Sequence, residues 1–308
     1  MVERVVIVGA GISGLSIARE FASTHDVVVI DRGGVAADTT SRASGVISLA
    51  LEPVDDDVRS LAWERFRELD GHGTFTFTKR PTVRLVPEGS TDAPPAGGST
   101  MSLDDLRDRY PDTFGPLEGY DAAVHYERTG LLNPLDYAMT LKWRAESEGA
   151  RIWTDRRMTG IRVDRDRVVG VETPHGSIDA DAVVVATGWR AREHLLEYAE
   201  LPLRPLRWNA IVVEGMSRFA TSLPIGSEPR HRLYWRPLPS GNVLVGGNEH
   251  LLDRPDEAQS VVDDAFRVAV REVLPNVLPS AEVDRIVRED CCPTADAATP
   301  DGLPIVDA

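Results

Sequence analysis

The chain has almost no lysine. Of its 34 basic residues only Lys79 and Lys142 are lysines. It also lacks any surplus of positive charge, because 49 acidic residues leave a formal net charge of −15. A nucleic-acid partner needs a basic surface, so that function class is excluded. An acidic, lysine-poor chain suits a surface adapted to high ionic strength, and equally an arginine-favouring codon usage. Cysteine is scarce too: Cys291 and Cys292 are adjacent and alone. Two neighbours cannot build a disulfide framework, and no Cys/His spacing of the metal-binding kind surrounds them. No metal is expected, and the chain reads as reduced. No apolar run reaches membrane-spanning length. The opening "MVERVVIVGAG" has neither the basic start nor the long apolar stretch of a secretory signal. The expected location is cytoplasmic.

What is present begins at the N-terminus. The 308 residues, 42% of them hydrophobic, suffice for one large or two moderate domains. Val5, Val6, Ile7 and Val8 form an apolar run of the kind found in central parallel strands. Gly9, Gly11 and Gly14 follow in G-x-G-x-x-G spacing. In such a loop the first glycine permits the turn and the second lets backbone approach a pyrophosphate. The third lets the next helix pack on the strand. Ile12, Leu15, Ala18 and Ala22 then recur at helical spacing, which aims a helix N-terminus at the phosphates. A second strand, "DVVVID", ends at Asp31, placed to bond a ribose hydroxyl. An acid there argues against a 2′-phosphate but does not separate NAD from FAD. The combination points to a dinucleotide, and hence to an enzyme with a small-molecule substrate.

The middle of the chain narrows the choice. Residues 150–191 contain short alternating strands with "DRDR" and "PHG" as turns. They end in a buried strand, "AVVVATG". A small meander followed by a strand closing on Ala-Thr-Gly resembles the two-dinucleotide-binding-motif flavoproteins, in which that strand returns to the FAD domain and runs under the cofactor.

More narrowly, the chain resembles the FAD-dependent amine and D-amino-acid oxidase family, to which glycine oxidase and sarcosine oxidase belong. The likeness rests on "TTSRASGVIS" (Thr39 to Ser48), "TGLLNPLDYAMTLKWRAESEGARI", "LPLRPLRWNAIVV", "RLYWRPLPSGNVLVGGNEH" and "TPDGLPIV", in that order. It implies an α/β fold, with a Rossmann-like FAD-binding domain and a discontinuous α+β substrate domain built on an antiparallel sheet. The FAD domain is expected over residues 1–50, 130–200 and 288–308, and the substrate domain over 51–129 and 201–287. "PEGSTDAPPAGGST", Pro87 to Thr100, is expected as a surface loop, and "SVVDDAFRVAVREVLPNV" as an amphipathic helix carrying Val262, Phe266, Ala269 and Val273 on one face. After the Pro300–Gly302 turn, Leu303, Ile305 and Val306 read as the start of a strand. The family continues there into a glycine-rich loop and a final helix facing the flavin. The resemblance therefore implies a chain cut inside its cofactor domain, with a natural terminus as the alternative.

The resemblance implies these cofactor residues: Gly9, Gly11 and Gly14 at the pyrophosphate, and Asp31 at the ribose. Arg42, Ser44 and Gly45 would lie near the pyrophosphate or ring, and the backbone of Met158 near the adenine. Thr187, Gly188 and Trp189 follow the Ala-Thr-Gly strand. On the substrate side, Tyr234 stands where the family often has a tyrosine at its substrate's carboxylate. Arg236 is a bidentate carboxylate partner by its chemistry, and strand alternation lets both face one way. One departure matters. Amino-acid-oxidising members often carry an arginine shortly before the Thr-Pro-Asp turn, where this chain has Cys292. A covalent flavin link through Cys291 or Cys292 and a pair of inert buried thiols are both open. The expected reaction is FAD-dependent oxidation of a small amine, N-methyl amino acid or D-amino acid to an imine, with oxygen or a carrier as electron acceptor. A 2-hydroxy acid or polyol phosphate is the alternative substrate. A non-catalytic flavoprotein, or a subunit completed by a partner, is the alternative of another kind.

Overall fold

The computed structural model describes residues 2–48, 55–91, 97–253 and 261–307. The first apolar run is β1 (Arg4–Val8), followed by helix α1 (Ile12–Phe21) and β2 (Asp26–Ile30). Then come α2 (Thr39–Arg42), β3 (Val46–Ile47), α3 (Asp56–Leu69), β4 (Thr78–Lys79), β5 (Thr82–Pro87), β6 (Ser99–Met101) and α4 (Leu103–Arg109). Ser102 and Asp105 cap α4 reciprocally, each side chain serving the other residue's amide. The chain continues through β7 (Tyr120–Tyr126) and β8 (Gly130–Leu131) to α5 (Pro134–Ser147). This helix starts where the sequence says it should: Pro134 occupies its first turn, and Asn133 accepts from the amides of Leu135 and Asp136. Next are β9 (Arg151–Trp153), β10 (Gly160–Asp164), β11 (Arg167–Thr173), β12 (Gly176–Asp179) and β13 (Ala182–Val185). The last part holds α6 (Ala191–His194), β14 (Arg204–Glu214), α7 (Phe219–Ser222), β15 (Ile225–Glu228), β16 (Leu233–Pro237), β17 (Val243–Leu251), α8 (Asp264–Val277) and β18 (Glu282–Ala298).

A parallel sheet in the order β13–β1–β2–β9 forms the first layer. After a charged first residue, Arg4 or Asp26, its inner strands are apolar and buried because both faces are covered. Leu15 and Ala18 of α1 and Ala138 and Leu141 of α5 cover one face. Met158, Val171 and Ala180, from the meander β10–β11–β12, cover the other. β1 has β2 on one side and β13 on the other, so the chain order reverses at its carboxyl end. That crevice is where open α/β sheets bind ligands.

An eight-stranded sheet, β18–β14–β17–β16–β15–β5–β7–β6, forms the second layer. Its pairs are antiparallel except β15 with β5. One face carries the larger core, in which Val83, Ile211, Leu233, Trp235 and Val245 meet Phe266, Val270 and Leu274 of α8. The expected amphipathic helix is thus real, although Val262 precedes it and Ala269 is only partly buried. The opposite face of the sheet looks toward the parallel layer. Among the described residues no helix is long and apolar enough to cross a membrane.

Several stretches sit differently from their expected places. Residue 288 falls inside β18, whose backbone pairs along β14 from Glu282 to Ala298. Helix α3 lies with α1 and α5, because Trp63, Phe66 and Leu69 find Phe77 and Tyr137 there. Of the expected loop Pro87–Thr100, residues 92–96 lie outside the described residues. Pro87 closes β5 and Ser99 opens β6. Leu303, Ile305 and Val306 are exposed coil beyond a turn in which the Gly302 amide bonds Thr299 O. A strand needs a paired neighbour, and these residues have none among the described residues.

Candidate functional site

The glycine loop lies at the carboxyl end of β1. Gly14 is in close contact with the strand behind it: a Cβ there would stand 1.9 Å from Gly9 O. Gly11 opens α1 with no side-chain cap. The first amides of this helix have no intrahelical acceptor, and that of Ile12 bonds Thr40 Oγ1 at 3.1 Å. Asp31 closes the loop from the next strand. Its Oδ2 accepts from Ala10 N at 2.7 Å and its Oδ1 from Gly33 N at 2.8 Å. Each carboxylate oxygen keeps a further acceptor site.

The Ala-Thr-Gly strand is β13 and its continuation. Ala186 N bonds Val8 O, and Gly188–Arg190 form a 3₁₀ turn. Thr187 Oγ1 and Trp189 Nε1 are buried without a partner among the described residues. Native proteins pair nearly all such atoms, so this end of the sheet is built to meet a polar group. Arg190 stacks over the Trp189 ring and pairs with Asp38 at 2.7 Å. Met158 is 4% exposed and its side chain belongs to the core under the sheet.

The loop after α2 joins the two layers. Arg42 donates to Asp290 Oδ1 at 3.0 Å and to Cys291 O at 2.8 Å, both on β18. Its guanidinium is thus engaged with the second sheet. Gly45 has φ +68°, and a Cβ there would stand 2.1 Å from Leu132 O, so only glycine fits. Ser44, between them, lies near enough to the Tyr234 phenol to influence its pKa.

Tyr234 and Arg236 alternate with Leu233 and Trp235, which lie in the core, so both face the parallel layer. Burial pushes the Tyr234 phenol above its usual pKa, although Ser44 and Arg236 oppose the shift. Trp208 packs edge-on against it at 5.6 Å. Burial pulls the Arg236 guanidinium below its usual value, with Tyr234 opposing. No carboxylate among the described residues pairs with Arg236, and its Nε is buried and unpartnered. The cysteines split across the sheet. Cys291 lies in the core beside Arg207, whose Nε is 3.0 Å from its Sγ, and burial raises its pKa. Cys292 pairs in register with Trp208 and faces the parallel layer.

The structure adds residues that motif reasoning passed over. Thr40 reaches the helix N-terminus across the loop. Arg84 and Ser227 lie in one cross-strand row with Tyr234, and Thr82 lies in the row of Arg236, its Oγ1 buried and unpartnered. The signal for Arg84 was present in "TVRLVP", where strand alternation sets it against Val83 and Leu85.

The FAD dependent oxidoreductase family model matches residues 4–308. The chain is 27% identical over 309 residues to glycine oxidase of Pseudomonas aeruginosa, covering 90% of this chain and 79% of that one. It is 27% identical over 276 residues to mitochondrial sarcosine dehydrogenase of Homo sapiens, covering 80% of this chain and 29% of that protein. The crystal structure of L-proline dehydrogenase from P. horikoshii superposes with a TM-score of 0.81 at 17% identity, over 97% of this chain and 82% of that one. The uncapped helix, the acceptor sites left on Asp31 and the orphaned Thr187 and Trp189 atoms fit a dinucleotide. The chain belongs to the FAD-dependent oxidoreductase family, and it is an enzyme whose cofactor is FAD.

Proposed function

We propose that this chain oxidises a small amino acid or N-methyl amino acid, held by its carboxylate against Arg236 and Tyr234. The observation that carries this reading is the half-buried Arg236 guanidinium, whose Nε has no partner and which no acid among the described residues pairs. An unpaired buried charge is costly, and a carboxylate ligand removes that cost. Arginine meets a carboxylate with two parallel hydrogen bonds, and the Tyr234 phenol, kept protonated by burial, donates a third. Arg236 on β16 thus stands in for the arginine that the family pattern places at Cys292.

The cofactor end follows the motifs. Gly9, Gly11, Gly14 and the start of α1 hold the pyrophosphate, and Asp31 the ribose. The Met158 backbone lies by the adenine, Arg42, Ser44 and Gly45 lie near the pyrophosphate or ring, and Thr187, Gly188 and Trp189 follow the Ala-Thr-Gly strand beside the cofactor. Bound FAD supplies a two-electron acceptor for the hydride on the carbon next to the amine. The chain's own part is orientation, through the carboxylate clamp on one sheet and the Arg42–Gly45 loop beside it. In this reading the FAD unit comprises residues 1–50 and 130–200. The substrate unit takes the eight-stranded sheet, with β18 at its edge.

A 2-hydroxy acid meets the same donors, since the clamp reads only the carboxylate. Anaerobic mixing with sarcosine, glycine and lactate tests the choice. Bleaching of the flavin by an amine supports the proposal, and bleaching by lactate alone overturns it.

A further inference from the structure

We infer that the substrate is a short acidic amino acid or its N-methyl derivative, with its second carboxylate on Arg84. This rests on the clamp proposed for Arg236 and extends it. Arg84, Ser227 and Tyr234 stand directly opposite one another on β5, β15 and β16. Residues opposite one another in a sheet point the same way. Arg84 therefore shares the cofactor-side face with Tyr234 and Arg236. Its neighbours in sequence, Val83 and Leu85, are fully buried in the core on the other face.

Arg84 is partly buried, and its contact within this wall is weak, a 3.5 Å approach to Ser227 Oγ. No carboxylate among the described residues pairs with it. Arg207, on the core face of the same sheet, is instead held at 2.8 Å by Asp263. Two unpaired guanidinium groups on one wall are thus particular to this face, in a chain whose net charge is −15. Two strand spacings and one two-residue step separate the two Cα atoms by about 12 Å. Both side chains can lean over the space between them and bind the ends of one short diacid. Thr82 Oγ1, buried and unpartnered in the Arg236 row, and Ser227 supply neutral contacts between the two charges.

The test uses the FAD-loaded chain and two probes that cannot be oxidised as amines, acetate and succinate. Perturbation of the visible flavin spectrum reads the Kd of each. In the unmodified protein succinate should bind at least about tenfold tighter than acetate, as expected for one added charge-assisted bidentate contact. Arg84→Gln should bring the succinate-to-acetate ratio down by about 10- to 100-fold, and Arg84→Lys should restore part of it. In turnover, N-methylaspartate should show a lower KM than sarcosine. A ratio near one in the unmodified protein would overturn the second anchor. If acetate still binds in a manner lost in Arg236→Gln, the carboxylate clamp stands without it. No spectral change with either probe overturns both.

Discussion

Ser44 lies close enough to the phenol of Tyr234 to oppose the rise that burial imposes on its pKa. One residue belongs to the loop behind α2, the other to β16 in the second sheet. This approach brings the eight-stranded sheet close to the parallel layer at that loop. Tyr234→Phe should keep FAD and the fold but weaken carboxylate binding roughly tenfold, the worth of about one hydrogen bond. Titration with acetate, followed in the flavin spectrum, checks this.

Arg236 should trade stability for function. Arg236→Met removes a buried, unpaired charge and keeps the apolar stem. We expect stability to rise by on the order of 1 kcal/mol, while carboxylate affinity falls by about 100-fold or more. Thermal unfolding and acetate titration of one preparation read both. A stability loss with unchanged affinity would show a structural arginine instead.

Gly14→Ala should abolish FAD binding. Its Cβ would lie 1.9 Å from Gly9 O, so α1 must move off β1 and carry its N-terminal amides with it. Gly160→Ala is the control, since nothing lies within 4 Å of the added methyl group. Flavin retained after desalting distinguishes the two.

Acid should loosen the core side of the eight-stranded sheet. Burial raises the Asp263 pKa, but the hydrogen bonds from Arg207 and Asn209 and the nearby charge of Arg207 outweigh it and hold the group below its usual value. A depressed carboxylate contributes stability above the unfolded value of about 3.9 and loses it as pH falls through the folded one. Asp263→Asn leaves Arg207 buried and unpaired, and should cost about 3 kcal/mol at neutral pH. That difference should shrink below about pH 4. Urea unfolding of both proteins across pH measures it.

The cofactor half was legible because its signals are local. Strand, glycine loop, helix and Asp31 fall within the first residues of the chain, and each obeys a short-range rule. Tyr234 and Arg236 were legible through alternation within "LYWRP". The long β18 was not, since "REDCCPTADAA" shows no alternation, and its partner β14 lies far away in sequence. Nor could any spacing reveal that Arg42 reaches Asp290 or that Ser44 reaches Tyr234. Those pairs depend on how two sheets are laid against each other. Arg84 shows an intermediate case. Its facing was readable, but its lack of an acid partner required the folded wall.

Holding a carboxylate over the bound FAD is the proposed role of the Arg236 face. It is tested most directly by anaerobic mixing of the FAD-loaded protein and its Arg236→Gln variant with sarcosine. The flavin's visible band should bleach in the unmodified protein. Half-saturation should then shift by about 100-fold or more in the variant. Bleaching at the same sarcosine concentration in both proteins would contradict it.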